Sequence, residues 1–166
     1  MLDRIEFKTA LNLDDAGAIT GIAWPFATPD RVGDMIQKGA FAMPAKIPML
    51  FSHKADMPVG VWNEAVETDQ GLEVRGNLLV NDVGLAREVH ALVKAGAIGG
   101  LSIGFQTKSS TPRKGGGRTI KSLDLLEISL VTVPAHPGAR VTSAKAASLA
   151  IKLAEAINQA ASALRK

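Results

Sequence analysis

The sequence predicts a mainly β fold, a barrel or sandwich core with flanking helices (α+β). Two observations carry that prediction. Short runs of apolar residues, several alternating with polar ones, recur from Ile5 to Val133, separated by Gly and Pro punctuation. Helical spacing occurs in two places, about 82–95 and the alanine-rich stretch near the C-terminus. At 166 residues the chain is long enough for one domain with a real hydrophobic core.

Ile5 and Phe7 alternate with Arg4, Glu6 and Lys8, a half-buried strand that pairs as a hairpin with the run Ala18 to Trp24. Thr28 to Asp34 is rich in turn formers. Gly39 to Met43 reads as a short helix or turn stopped by Pro44. Ile47 to Ser52 is a strand that delivers His53 to its end, and Pro58 to Trp62 resumes strand character. Glu67 to Gly71 is a turn. Leu72, Val74, Gly76 and Leu78 then alternate with Glu73, Arg75 and Asn77, an amphipathic strand.

The period changes next. Leu85, Val89, Leu92 and Val93 share one helical face, with Asn81 or Asp82 as cap and Gly96 as stop. Burying those side chains contributes roughly 1.5–3 kcal/mol each before entropy is subtracted. Gly100 to Thr107 is a strand containing Ser102. Ser109 to Gly117, with three consecutive glycines, reads as a mobile loop. Ile120 to Val133 is apolar on both faces and therefore a central strand. Pro134 to Gly138 breaks it, and about Thr142 to Leu164 reads as a C-terminal helix.

Composition excludes several function classes. Lys and Arg number 19 against 16 Asp and Glu, a net charge of +3 without a basic stripe interleaved with aromatics, so no nucleic-acid partner is expected. No run is long and apolar enough to span a bilayer, and no membrane partner is expected. The chain has no cysteine, which removes disulfides, thiolate zinc sites and a cysteine nucleophile. The 3 histidines have no metal-ligand spacing, so no metal or cofactor is expected.

Three pieces carry chemistry. Ser102 lies among small residues in Gly99-Gly100-Leu101-Ser102-Ile103-Gly104-Phe105. His53 ends the apolar run Met49-Leu50-Phe51-Ser52. Glu127 interrupts the apolar strand from Leu125 to Val133. A hydroxyl, an imidazole and a carboxylate are the parts of a nucleophilic serine site. Two of them have a plainer reading: Ser102 as a small strand residue, and Glu127 as a carboxylate salt-bridged to Arg140 or Arg75. A carboxylate in such a strand must be paired or hydrogen-bonded, or become neutral. His90 reads as a solvated helix residue and His136 as a loop residue.

From about Ala18 to Val141 the chain resembles the HK97-type phage prohead (maturation) protease family. The likeness lies in Asp30-Arg31-Val32-Gly33-Asp34 with Gly39-Ala40-Phe41, in Met49 to His53 with Pro58-Val59-Gly60, in Gly100 to Phe105, and in Leu126 to Ala135. Each piece is weak alone; the set in this order is specific. The family is considered related to the herpesvirus assembly proteases, which have a β-barrel surrounded by helices. The resemblance implies Ser102 as nucleophile, His53 as general base and then acid, and Glu127 as third member. The family often has asparagine at the position of His136, and the herpesvirus enzymes use a histidine as third member, so His136 is the rival orienter. For the oxyanion hole, the Gly138-Ala139-Arg140 turn is the candidate, with Arg140 as an electrostatic helper.

The resemblance further implies a protease barrel over 1–141 with the helix inserted about 82–95. Residues 142–166 form a C-terminal helix, either part of that domain or a docking or dimerisation element. The expected substrates are major capsid protein and scaffold segments inside the immature prohead in the host cytoplasm, with self-cleavage and a homo-oligomer, for which a dimer is the simplest case. The rival readings are an inactive protease-fold scaffold or capsid-binding module, and a general host serine peptidase.

Overall fold

The structure is a computed structural model and describes residues 16–142. Alternation of apolar and polar side chains becomes strand wherever it was expected in that range. Strand β1 (Ala18–Pro25) is followed by two short bridges, β2 (Met35–Ile36) and β3 (Phe41–Ala42). Strands β4 (Ile47–Phe51), β5 (Lys54–Glu67) and β6 (Gly71–Leu78) form an antiparallel meander. Helix α1 (Gly84–Lys94) leads to the long hairpin of β7 (Gly100–Pro112) and β8 (Arg118–Val131), and β9 (Arg140–Thr142) ends the described chain.

Seven of these strands close into a barrel in the order β8-β4-β5-β6-β1-β9-β7, with β7 pairing back onto β8. Closure rests on the single pair Gly100–Arg140 between β7 and β9; beyond it, among the described residues, β7 is paired on its β8 edge alone. The interior is filled by one side-chain set of each strand. Met49, Val59, Trp62, Leu72, Leu101 and Ile128 are fully or almost fully buried. Trp62 also donates its indole N–H to Ile128 O at 3.0 Å, which satisfies the one polar atom of its side chain. Among the described residues no helix is long and apolar enough to cross a membrane.

The structure corrects several expectations. Gly39 to Met43 contains no helix; Phe41 and Ala42 pair in parallel with Leu123 and Asp124 of β8. The segment 109–117 is not a long loop. The β7–β8 ladder runs out to Pro112 and Arg118, leaving only a glycine turn at the tip, because cross-strand pairing, helped by the β-branched Thr107 and Thr111, outweighs the polarity of the segment. Helix α1 takes Val83 as its N-cap without a side-chain hydrogen bond, rather than Asn81 or Asp82. Its buried residues are Ala86, Val89 and Val93, and Leu92 is exposed. The strand expected at Ile5–Phe7 and the helix after Thr142 lie outside the described residues.

The hairpin tip is fixed to the loop before β2. Asp34 is 6% exposed and accepts from Arg118 N–H at 2.7 Å, from Arg118 Nε and from Arg118 Nη2. Arg113 donates to Gly33 O. Gly33 and Gly117 lie backbone to backbone, both at positive φ (91° and 74°), and a Cβ on Gly117 would lie 2.7 Å from Gly33 Cα. Only glycine fits such an approach.

The Arg118 hydrogen bonds hold the Asp34 carboxyl below the usual carboxylate range. A folded value below the unfolded one adds stability above the unfolded pKa and loses it as pH falls through the folded value. Asp34→Asn is expected to cost about 2 kcal/mol at neutral pH, allowing for the half-exposed arginine. That difference should shrink below about pH 4. Urea unfolding of both chains at pH 7 and at pH 3 checks this; an equal difference at the two pH values would contradict it.

Candidate active site

His53 is delivered by a two-residue turn. Phe51 of β4 pairs with Lys54 of β5, and Ser52 and His53 between them have φ of 54° and 61°. Positive φ at both central residues suits the twist of a tight hairpin. For residues with a Cβ it costs about 1–2 kcal/mol each, so surrounding bonds must enforce it. They do: Ser52 N–H donates to Leu130 O at 3.0 Å, and His53 N–H donates to Ser129 Oγ at 3.0 Å.

Glu127 stands on β8, its side chain only 13% exposed, with Oε1 2.6 Å from His53 Nδ1. Its other oxygen, Oε2, accepts from Ser129 Oγ at 2.7 Å. A carboxylate only accepts, so Nδ1 carries the proton and, in the neutral ring, Nε2 offers its lone pair. The side chain of His53 is 44% exposed, which leaves the ring accessible. Neither arginine suggested by the sequence takes Glu127 as partner: Arg75 faces Glu64 at 3.7 Å, and Arg140 donates to Pro137 O at 3.2 Å.

Ser102 lies on β7 directly opposite Ser129 of β8, and Gly104 directly opposite Glu127. Opposed residues share one face of a ladder with Cβ atoms about 4.5–5.5 Å apart. Ser102, Ser129 and Glu127 therefore share the face to which His53 is bound. His53 is hydrogen-bonded to Glu127 and not to Ser102. Gly104 makes room for the carboxylate: a Cβ there would lie 2.9 Å from Glu127 Cδ, and closer still to Oε1.

His136 is 1% exposed and fully engaged. Its Nδ1 accepts from Gly138 N–H at 3.0 Å, so Nε2 carries the proton and donates to Thr28 O at 2.8 Å. Its ring meets Trp24 edge-on at 5.0 Å between centroids. It pins the loop after β8 rather than lying on the surface. Two of the backbone amides suggested for the oxyanion hole are engaged elsewhere. Gly138 N–H is bound to His136 Nδ1 and Ala139 N–H to His136 O at 3.0 Å, so neither donor is available. Arg140 pairs with Gly100, two residues before Ser102 on the same face of β7. Among the described residues no group of three or more His, Asp or Glu is placed to hold a metal.

Two residues of this arrangement escaped the sequence reading. Ser129 is two positions from Glu127 on one strand face, and that polar pair inside an apolar run was the available signal. Gly104, one of the small residues around Ser102, is the cross-strand seat of the carboxylate.

The sequence profile of the Caudovirus prohead serine protease family matches residues 4–152, and the chain belongs to that family. It is 39% identical over 140 residues to a capsid polyprotein of Pseudomonas phage PAJU2, across 80% of this chain and 20% of that protein. It is 35% identical over 137 residues to the prohead protease of Enterobacteria phage HK97, across 78% of this chain and 60% of that one. The chain thus spans only part of the length of either relative. Among solved structures, KSHV protease in complex with a hexapeptide phosphonate inhibitor superposes with a TM-score of 0.46 at 12% identity, across 75% of this chain and 63% of the other.

Gly104→Ala is expected to displace the Glu127 carboxylate, removing the His53 contact while the barrel stays folded. A 1H–15N spectrum of the imidazole should lose the hydrogen-bonded Nδ1–H signal of His53; an unchanged signal would refute the steric argument.

Proposed function

We infer that this chain is a serine endopeptidase that processes capsid and scaffold proteins during phage prohead maturation, and that it also cleaves itself. The observation that carries this is the 2.6 Å contact of His53 Nδ1 with Glu127 Oε1, on the strand face that also holds Ser102. Family membership supports the serine-protease class. Sequence similar to this chain forms part of a capsid polyprotein in one relative, which supports capsid chains as substrates. A protease enclosed with its substrates acts at high effective concentration, which offsets weak intrinsic affinity.

Ser102 is the nucleophile, His53 the base and Glu127 the orienter; His136, with both ring nitrogens committed to backbone, is not the third member. Ser102 Oγ attacks the scissile carbonyl and His53 Nε2 takes its proton. The imidazolium is stabilised by Glu127 and then protonates the departing amine, leaving an acyl-serine. Water, deprotonated by His53, releases the acid and restores the hydroxyl. The Ser102–His53 hydrogen bond closes on docking of substrate, as catalytic contacts commonly do. Arg140, on the face of Ser102, supplies positive charge near the developing oxyanion; a single good donor there is worth about 2.7–4 kcal/mol.

The test is intact-mass spectrometry of the chain co-expressed with the major capsid protein of the same genome. Defined truncation of capsid protein or of the protease is expected, and it should vanish with Ser102→Ala. Equal cleavage by both would mean another nucleophile. No cleavage by either, with normal particles, would leave a scaffold role. In the same assay Glu127→Gln should slow turnover by about 10²- to 10⁴-fold with the fold intact, since an amide disturbs the tautomer of His53. Arg140→Ala should slow it less; a wild-type rate for either variant removes that residue from the mechanism.

A further inference from the structure

Ser129 is fully buried, uncharged and unclaimed by the chemistry above, yet it touches both partners of the His53–Glu127 pair. Its hydroxyl donates to Glu127 Oε2 at 2.7 Å and accepts from the backbone N–H of His53 at 3.0 Å. With the 2.6 Å bond from His53 Nδ1 to Glu127 Oε1, the contacts close a ring: His53 N–H to Ser129 Oγ, Ser129 O–H to Glu127, and Glu127 back to His53 Nδ1. One residue thereby fixes the base twice, at its main chain and, through the carboxylate, at its ring.

We propose that Ser129 is a positioning residue for the base, and that its hydroxyl sets the orientation of Glu127 and the left-handed backbone of His53 together. This deepens the catalytic reading of Ser102, His53 and Glu127 and rests on it. The argument is one of degrees of freedom. A glutamate has three side-chain torsions, and a single bond to His53 leaves its carboxylate free to rock. A second bond to the opposite oxygen, from a side chain on the same strand face, fixes the carboxylate plane. The same hydroxyl gives the His53 amide an acceptor in a conformation that a residue with a Cβ otherwise avoids. A simple packing serine would make neither bond.

The experiment uses the full chain and a peptide spanning the capsid site mapped by mass spectrometry. Ser129→Ala should lower kcat by about 10- to 100-fold with KM nearly unchanged, the pattern of lost orientation rather than lost binding. Combined with Glu127→Gln, it should add almost nothing, because both changes break one linkage. A second readout does not depend on turnover: the His53 Nδ1–H resonance in 1H–15N spectra should move or vanish in Ser129→Ala. If Ser129→Ala fails to fold, Ser129→Thr and Ser129→Val have the same shape and differ in the hydroxyl; Thr should keep the signal and Val lose it.

Wild-type kcat in a folded Ser129→Ala chain, an effect that multiplies fully with that of Glu127→Gln, or an unmoved imidazole signal would overturn the proposal. Full activity of Ser102→Ala would instead sink the catalytic reading, while the imidazole signal would still decide what Ser129 does.

Discussion

Strand β8 is hydrogen-bonded on both edges, and that double pairing fixes the register of the candidate site. On one side it pairs with β7 from Gly100–Val131 out to Pro112–Arg118. On the other it receives β2, β3 and β4 in turn, all parallel. A one-residue slip in either ladder would turn the polar set Ser102, Glu127 and Ser129 to the opposite face. Such a slip would bury a carboxylate among apolar side chains without a partner, so the charge itself selects against the wrong register.

The barrel accommodates that charge through neighbours of low bulk and matched polarity. Gly104 leaves the space that a side chain would occupy, Ser129 and His53 supply donors to both oxygens, and the exposed side of the imidazole faces outward. The turn holding His53 is conformationally unfavourable by itself. Two backbone amides anchored on β8 keep it in place, so the most strained part of the site rests on the best-paired strand.

The sequence revealed those parts of the fold whose physics is local. Short apolar runs located β1 and β4, alternation located β6, the apolar spacing located α1, and an apolar run on both faces marked β8 as central. His53, Ser102 and Glu127 stood out because polar groups in apolar strands need a reason. What stayed hidden depends on partners far along the chain. Phe41 and Ala42 become strand only because Leu123 and Asp124 lie alongside. The polar half of β7 is ordered by β8, and the polar fixation of His136 needs Thr28, 108 residues away. Leu92 fits the helical stripe, yet it lies exposed, because packing and not spacing decides how wide the stripe must be.

The hairpin of β7 and β8 brings together residues close in sequence, whereas Glu127 and His53 are 74 residues apart and the bond of Thr20 to Thr142 spans 122. Contacts of such separation form late, because loop closure must be achieved before they stabilise anything. The serine and the carboxylate thus share one hairpin, whereas the histidine comes from the first half of the barrel, where β4 pairs with β8. A chain in which β4 has not docked on β8 holds Ser102 and Glu127 side by side without His53, so the three side chains are together only in the closed barrel.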